Sequence, residues 1–367
     1  MKSPSPTHPD PSVHWLGLTA TEGRARVTDW GLPAFRAKQL NQWVYERFCT
    51  APGQMTNLSK SLQAELTPLF EPTRTLSDQR SSDGTRKFLF GWDDGQSAET
   101  VMIPDDGGAK SRRTACISSQ VGCPVGCRFC ASGQNGKLGD LTVARIVEQV
   151  IRVNAALAEE GTKLTNLVFM GMGEPLANYR EVAQALRVLT DPDCLGMSPR
   201  RITVSTVGVP PRIRQLADEN APINLALSLH APNEPLRREL IPWAEHFTLD
   251  DILDACRYYF EKTRREITFE YILLRDVNDR REHAVELAAI CRAMRCNVNL
   301  LRYNEVEGID YVRPRSPDVM AFQSELRRRG VNAHVRKSRG RDIDAACGQL
   351  RKKQERESKL VQLGAPR

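Results

Sequence analysis

Hydrophobic positions near the start of the chain recur at helical spacing. In PAFRAKQLNQWVYERF the apolar side chains of Leu40, Trp43 and Val44 lie on one helical face, behind a proline that can begin a helix. A shorter version of the pattern follows in NLSKSLQAELTPLF. These patterns predict a small helical accessory domain over residues 13–75.

A different pattern comes next. In RKFLFGWDDGQSAETVMIP, apolar and polar residues alternate on both sides of the pair Asp94-Gly95. Such alternation around a short Asp-Gly turn is typical of a β-hairpin. We therefore expect a hairpin over residues 76–108 that links the helical domain to the rest of the chain.

Beyond the hairpin, short β-branched apolar runs alternate with longer amphipathic stretches. The runs are TACISS, NLVFM, RITVST, INLALSL, EITFEYILL, CNVNLL and NAHVR. The stretches expected to be helical include 141–158, 178–190, 248–263, 280–295 and 317–329. This order predicts a parallel α/β core over residues 109–342, either doubly wound or a closed or partial barrel.

Polar residues and glycines stand where several of these predicted strands end. Parallel α/β folds gather their chemistry at the carboxyl ends of the strands, so these residues are site candidates. They are three cysteines after the first strand, Gly173 and Glu174 in GMGEP, Ser205, the run Ser228, Leu229 and His230, and Asn304. Taken singly, each also fits an ordinary turn, a helix cap or a satisfied core histidine.

Composition narrows the class of protein. Ten cysteines in 367 residues are too few for a disulfide scaffold, and their clustering indicates ligation or chemistry in a reducing compartment, by default the cytoplasm. Residues 1–12, rich in Pro and Ser, are expected to be a disordered tail, and no run reaches the roughly 20 apolar residues of a membrane span. Lys and Arg exceed Asp and Glu by 52 to 45, which suits a nucleic-acid partner without requiring one.

Three cysteines lie unusually close together in CISSQVGCPVGCRFCASG. Cys123, Cys127 and Cys130 are separated by three and two residues, and Cys116 lies seven residues upstream. A structural zinc site takes four ligands, whereas three thiolates can hold an iron–sulfur cubane and leave one iron open to a substrate. The local count favours the cluster over a zinc site that borrows a distant ligand.

The cysteine spacing resembles the signature of the radical S-adenosylmethionine superfamily, in which the open iron binds the methionine moiety. Together with FMGMGEPLAN, SPRRITVSTVGV, LALSLHAPN and RGRDIDAACGQL, in this order, it resembles the RlmN/Cfr family of radical RNA methyltransferases over residues 24–350. The resemblance implies a partial (β/α)6 barrel with an N-terminal accessory domain. It also implies methylation at carbon 2 of adenosine 2503 in 23S rRNA and, for dual-specificity members, of adenosine 37 in tRNAs.

The same resemblance implies roles for single residues. Cys123, Cys127 and Cys130 would hold a 4Fe-4S cluster, and two molecules of S-adenosylmethionine would be used in each turnover. Cys347, on a C-terminal segment over residues 343–367, would accept a methyl group, and a radical formed on that methyl would add to the adenine ring. Cys116 would then form a disulfide with Cys347 and release the RNA.

Further roles follow from the family in the same way. Glu99 matches the position proposed as proton acceptor, and Cys116 is a rival for that role. The candidates at the strand ends would bind S-adenosylmethionine. A radical route suits the chemistry, because carbon 2 of adenine and a sulfonium methyl are both electrophilic.

The expected partners follow from this chemistry. They are 23S rRNA, tRNA, an electron donor such as flavodoxin, and a reductant for the disulfide, while no membrane is involved and the chain is expected to be a monomer. The helical domain and the basic stretch VRKSRGR are candidates for holding the RNA backbone.

Two alternatives stay open at the level of the sequence. LLRYN, residues 300–304, is more similar to the Cfr branch, whose members methylate carbon 8 and confer ribosomal antibiotic resistance, whereas GMGEPL, RKSRGRD and the N-terminal domain are similar to the RlmN branch. A zinc-stabilised RNA-binding protein without catalysis is the alternative of another class. It leaves Cys116 and Cys347 unexplained.

Overall fold

The computed structural model describes residues 12–105, 111–134, 136–219 and 222–350. Most of the predicted N-terminal tail and the last part of the C-terminal segment, 351–367, lie outside the described residues. No helix in the described part of the chain is long and apolar enough to cross a membrane.

The N-terminal domain is helical, as predicted. Its helices are α1 (Ala20–Asp29), α2 (Phe35–Asn41), which continues as a π-helix over Gln42–Glu46, and α3 (Lys60–Leu66). Thr19 and Glu22 form a capping box that fixes the start of α1. Leu40 and Val44 are buried in the core, which confirms the helical face inferred from the sequence.

The main sheet begins with antiparallel strands. They are β1 (Thr73–Arg80), β2 (Arg86–Trp92), β3 (Ser97–Asp105) and β4 (Arg112–Cys116). The strands β2 and β3 form the predicted hairpin around Asp94-Gly95, where Gly95 adopts a positive φ of 79°. The hairpin is continuous with the main sheet, because β3 pairs with β4.

The parallel part of the sheet carries the predicted strands of the core. These are β7 (Asn166–Phe169), β8 (Ile202–Thr206), β9 (Asn224–Ser228), β10 (Ile267–Leu273), β11 (Cys296–Arg302) and β12 (Ala333–Arg336). Two short strands, β5 (Gln120–Gly122) and β6 (Lys137–Asp140), form a separate antiparallel pair beside the cysteine loop.

Helices connect the parallel strands. They are α4 (Val143–Ala158), α5 (Tyr179–Thr190), α6 (Pro210–Asp218), α7 (Glu234–Leu240), α8 (Leu249–Thr263), α9 (Arg281–Arg292) and α10 (Ser316–Arg328). The short helices α6 and α7 fall outside the stretches predicted to be helical, and both have proline in their first turn.

The sheet order is β1-β2-β3-β4-β7-β8-β9-β10-β11-β12, so the parallel part does not close on itself. Six strand–helix units, from β4 with α4 to β11 with α10, precede β12. This is the partial (β/α)6 barrel that the resemblance implied. The parallel strands are apolar and largely buried because helices cover their outer face, and their carboxyl ends meet at one rim.

Candidate active site at the carboxyl ends of the parallel strands

The cysteine loop follows β5 and is anchored by the residues between its cysteines. Val125 and Phe129 are buried and pack with the α7 residue Leu240 in a small apolar cluster under the loop. The Arg128 N–H also donates a hydrogen bond of 3.0 Å to the Leu240 carbonyl. The apolar residues of CPVGCRFC thus fix the loop, and the cysteine side chains stay partly exposed.

The three thiols share one electrostatic environment. Burial is the main cause that raises the pKa of Cys123 to about 12, and the charges of Cys130 and Glu174 contribute to this rise. Burial also raises the pKa of Cys127, with added contributions from Cys130 and Cys123. The pKa of Cys130 is raised by burial as well. Thiols placed in this way ionise readily only when a metal supplies positive charge.

Backbone N–H groups point at two of the sulfurs. Cys123 accepts from Val125 and Gly173, and Cys130 accepts from Ser132 and Gly133. Hydrogen bonds to the sulfur ligands of iron–sulfur clusters tune such clusters, so this donor set fits a 4Fe-4S cluster held by three thiolates.

A zinc site has no support in the structure. Within the described residues, no three His, Cys, Asp or Glu side chains are arranged to hold a single metal ion. A structural zinc ion needs four such ligands at once. A cluster spreads its ligands over several iron atoms and makes no such demand.

Gly173 is required by a close contact within the protein. Its φ is 103°, and a Cβ built on it would lie 2.6 Å from the Cβ of Gln120. The GMGEP loop therefore lies directly against β5, close enough for the Gly173 N–H to reach Cys123. The close neighbour of Gly173 is thus Gln120, and contact of this glycine with S-adenosylmethionine stays a prediction.

Glu174 is buried and already engaged by backbone donors. One carboxylate oxygen accepts from the Leu176 N–H and the other from the Val207 N–H, both at 2.9 Å. Burial raises the pKa of this carboxyl. Glu174 thus ties the loop after β7 to the end of β8, and any bond to a methionine ammonium would use its remaining lone pairs.

The predicted residues at the ends of β8 and β9 divide into two groups. The hydroxyls of Ser205 and Ser228 lie 3.2 Å apart; Ser205 is buried, whereas Ser228 is half-buried. The Leu229 side chain is fully buried in the main core, so only its backbone can meet a ligand. His230 has a φ of 57°, and its Nδ1 accepts a hydrogen bond of 3.1 Å from the Ile272 N–H.

His230 also supports the cysteine loop. Its ring contacts Phe129 edge-on at 5.0 Å between centroids. Burial lowers the pKa of His230 to about 3, and the positive charge of Arg237 adds to the effect. The imidazole is therefore neutral at physiological pH, as its acceptor role at Nδ1 requires.

Asn304 joins the C-terminal segment to the rim. Its Nδ2 donates a hydrogen bond of 3.3 Å to the Cys347 carbonyl, and its Oδ1 accepts a hydrogen bond of 2.9 Å from the Arg313 guanidinium. The Ala131 N–H donates a hydrogen bond of 2.8 Å to the Gly348 carbonyl. This bond places the C-terminal segment directly over the cysteine loop.

This arrangement brings the two remaining predicted thiols together. Cys116, at the end of β4, is buried against Ala345 and Leu350 of the C-terminal segment. Burial raises its pKa, and the nearby Cys347 contributes to the rise. Burial raises the pKa of Cys347 to about 11, with Glu270 and Cys130 as the next contributors. Cys347 is an exposed residue at the rim, although its thiol lies among protein groups.

Glu99 lies on the β3 strand beside Cys116. It is buried, and its carboxylate is 3.4 Å from the Lys87 ammonium. Val101, two residues further along β3, pairs with Cys116 in the sheet register, so Glu99 and Cys116 share one face. Lys87 also donates a hydrogen bond of 3.3 Å to the Asp344 carbonyl. This bond connects the ion pair to the C-terminal segment.

Sequence reasoning missed two charged residues at the site. Arg237 on α7 is fully buried, donates to the Val207 carbonyl and acts electrostatically on Cys127. Nothing distinguished it from the solvated arginines beside it. Glu270 is a buried carboxylate in the middle of the apolar run EITFEYILL, and a charge in such a run was a usable signal.

Two family models match the chain in its two parts. The model of the Radical SAM superfamily matches residues 117–288. The model described as the ribosomal RNA large subunit methyltransferase N-terminal domain matches residues 13–71, the helical domain.

Curated relatives match over almost the whole chain. A probable dual-specificity RNA methyltransferase RlmN from Gloeobacter violaceus is 45% identical over 92% of this chain and 95% of its own length. A protein of the same description from Bacillus subtilis is 43% identical over 94% of each chain. A crystal structure of a radical SAM methyltransferase from Sphaerobacter thermophilus is 41% identical, covers 92% of this chain and 99% of its own, and superposes with a TM-score of 0.89.

The matches thus cover 92–94% of this chain. The family works with a 4Fe-4S cluster and S-adenosylmethionine, which agrees with the donor set of the cysteine loop. The chain belongs to the RlmN family of radical S-adenosylmethionine RNA methyltransferases.

Proposed function

We propose that this enzyme methylates carbon 2 of adenosine 2503 in 23S rRNA and of adenosine 37 in tRNAs, with the methyl group carried on Cys347. The observation that carries the proposal is the convergence of Cys347, Cys116 and the cysteine loop at one rim of the barrel. The curated relatives at 43–45% identity are described as dual-specificity enzymes, which supports both RNA substrates.

Cys123, Cys127 and Cys130 hold the cluster in this proposal, and the polar groups at the ends of β7, β8, β9 and β11 face S-adenosylmethionine. When bound, these two groups supply the methyl group and the radical chemistry that removes a hydrogen atom from it. All other steps fall to the chain itself.

Cys347 is the methyl carrier in the proposal because, of the two thiols outside the cysteine loop at this rim, Cys347 belongs to the exposed residue and Cys116 to the buried one. After the carbon has added to the ring, Glu99 takes the ring proton. Lys87, 3.4 Å away, forms an ion pair with this carboxylate and holds it beside Cys116. The adduct must also give up one electron, for which the bound cluster would be the acceptor. The Cys116 thiolate then attacks the Cys347 sulfur and forms a disulfide, the bond between that sulfur and the methylene carbon breaks, and this carbon takes up a proton to become the methyl group of the product. An external reductant restores both thiols.

RNA must bring one unstacked base to this rim. The helical domain carries an exposed Phe35 whose ring lies under the Arg36 guanidinium, a pair suited to stacking and phosphate contact. The basic stretch VRKSRGR leads directly into the C-terminal segment. In the proposal these two surfaces hold the RNA, a low-potential donor such as flavodoxin reduces the cluster, and a monomer acts in the reducing cytoplasm.

Methylation at carbon 8 is the second candidate, favoured only by the LLRYN motif at residues 300–304. Mass spectrometry separates the two. Protein purified without oxygen should contain about four iron atoms per chain, and RNA treated with it should yield 2-methyladenosine. A product consisting of 8-methyladenosine would overturn the carbon 2 assignment.

A further inference from the structure

Glu270 is a buried carboxylate that the steps above do not use. It lies in the middle of β10 and is 7% exposed. Its Oε1 accepts a hydrogen bond of 2.8 Å from the Asn299 side chain, and it forms no salt bridge with any residue the structure describes. A buried carboxylate without a salt-bridge partner is unfavourable for folding, and such groups concentrate at functional sites.

The sheet register shows which way Glu270 faces. Its neighbours Phe269 and Tyr271 are fully buried in the main core, and the Tyr271 ring packs against Phe322 of α10. Successive side chains on a strand point to opposite faces. Glu270 therefore faces the concave side of the barrel, away from the helices.

Polar residues on the adjacent strands share this level. Glu270 pairs in register with Ser228 of β9 and Asn299 of β11, and Asn299 pairs with His334 of β12. Ser228 is one of the residues predicted to bind S-adenosylmethionine. Glu270 thus belongs to a row of polar residues across neighbouring strands on the concave side of the barrel. This row includes Ser228, so Glu270 lies next to the place where the methyl donor is expected.

Cys347 lies within reach of the Glu270 charge. The C-terminal segment crosses the concave side, held there by Asn304. Burial is the largest cause that raises the pKa of Cys347, to about 11. The charge of Glu270 is the next largest cause, the charge of Cys130 adds to the rise, and the charge of Arg336 opposes it. At neutral pH Cys347 is therefore a protonated thiol, and it must lose its proton to become a nucleophile.

Among the charged groups that act on Cys347, Glu270 is the one that can accept its proton. Burial raises the pKa of Glu270 to about 7, and hydrogen bonding by Asn299 and the charge of Arg336 lower it. Arg336 cannot accept a proton, and Cys130 is committed to the cluster in the proposed function. Glu99 stands on β3 beside Lys87, on the far side of Cys116.

We propose that Glu270 is the general base that takes the proton from Cys347 as its sulfur accepts the methyl group. The bond between the methyl carbon and the sulfonium sulfur breaks, and its electron pair stays on S-adenosylhomocysteine. The bond between the methyl carbon and Cys347 Sγ forms, and the thiol proton passes to the Glu270 carboxylate. No electron enters or leaves, so this step needs no reductant. The inference rests on the proposed role of Cys347 and divides the work between two carboxylates, Glu270 for loading and Glu99 for the ring proton.

The test isolates the loading step. Full-length protein is freed of pre-existing methyl groups, reconstituted without oxygen, and given S-adenosylmethionine with neither RNA nor reductant. Methylation of Cys347 is followed by peptide mass spectrometry. In E270Q the rate at pH 7 should fall about 10²-fold, the size of a lost general base, while the affinity for S-adenosylmethionine, measured by calorimetry, is retained.

The pH profile separates a base from a merely structural carboxylate. The wild-type loading rate should rise with pH and level off above about pH 7, where Glu270 is ionised. In E270Q it should keep rising through pH 9, because only spontaneous ionisation of the thiol remains, and burial alone still raises the pKa of Cys347 above its ordinary value. E270D should recover part of the rate and the plateau.

E148Q is the matched control, since Glu148 is also a buried glutamate with a raised pKa but lies on α4, away from the rim. It should load at the wild-type rate. Equal loading by E270Q and wild type, with the same pH profile, would overturn the role of Glu270. If wild-type Cys347 acquires no methyl group at all, the proposed function itself fails, and the two failures are distinct.

Discussion

The two thiols with complementary roles are held by the fold in different ways. Cys116 ends a strand that is paired on both sides, by Val101 of β3 and Val168 of β7, and it is buried. Cys347 lies outside any helix or strand, is exposed, and is kept in place by backbone contacts of its neighbours. In the proposed function, this difference suits Cys116 as a fixed thiol and Cys347 as a presented thiol, which has to meet the methyl donor, the RNA and finally Cys116.

Removal of the presented thiol should have the largest effect. C347A lacks the methyl carrier, so methylated adenosine should fall to background, measured by mass spectrometry of digested RNA. The fold should persist, because the exposed side chain contributes little burial. Methylated product from C347A would show that the methyl group travels by another route.

The second-largest effect is expected from removing the Phe129 side chain, which packs under the cysteine loop. Phe129 is 5% exposed and packs beneath the cysteines, so F129A should destabilise the protein by about 3–5 kcal/mol and lower its iron content. F322A is the control, because Phe322 is equally buried but lies on α10 behind the sheet. Its stability loss should be similar while its iron content stays normal. Equal iron loss in both variants would argue against a local role for Phe129.

The neutral histidine at the rim should make stability depend on pH. His230 has a folded-state pKa of about 3, whereas the unfolded chain takes up this proton near pH 6.5. The unfolded state binds more protons below pH 6.5, so stability falls with acidity, by about 2 kcal/mol at pH 5 for this one group. Urea unfolding at pH 7 and pH 5 measures the difference.

The variant H230Q should reduce that pH dependence, although it is itself less stable. H283Q is its control, because His283 is a partly exposed residue at the start of α9. A pH dependence in H230Q as steep as in wild type would show that His230 is not the group responsible.

The smallest effect on stability is expected from removing the Asn304 side chain, which keeps Cys347 in place. N304A loses the 3.3 Å bond to the Cys347 carbonyl and the bond from Arg313, which should lower stability by only about 1 kcal/mol. Methyl transfer should suffer more than stability does, because Cys347 is then less well placed. Unchanged transfer in N304A would show that the remaining backbone contacts suffice.

The sequence was sufficient to predict the parallel strands of the barrel, although not its short helices α6 and α7. Runs such as RITVST and INLALSL are continuous and apolar because helices and neighbouring strands bury them, and they became β8 and β9. The strand β1 was not predicted, since TRTLSDQR is mostly polar and exposed and derives its order from pairing with β2. Such a strand carries no hydrophobic signal of its own.

The site was harder to predict than the fold. Strand ends could be located, but the direction of a side chain there depends on contacts far away in the chain. Leu229 proved to be a core residue, and Glu174 is engaged by backbone N–H groups of Leu176 and Val207. The approach of Cys347 to Cys116 spans 231 residues of sequence, and only the family resemblance indicated it in advance.

The fate of C116A tests the central claim most directly. If Cys116 frees the product by attacking the Cys347 sulfur, C116A should accumulate a covalent complex with the RNA, visible on a denaturing gel and mapped by mass spectrometry to Cys347. Free methylated RNA released by C116A at the wild-type rate, with no covalent complex, would contradict the account.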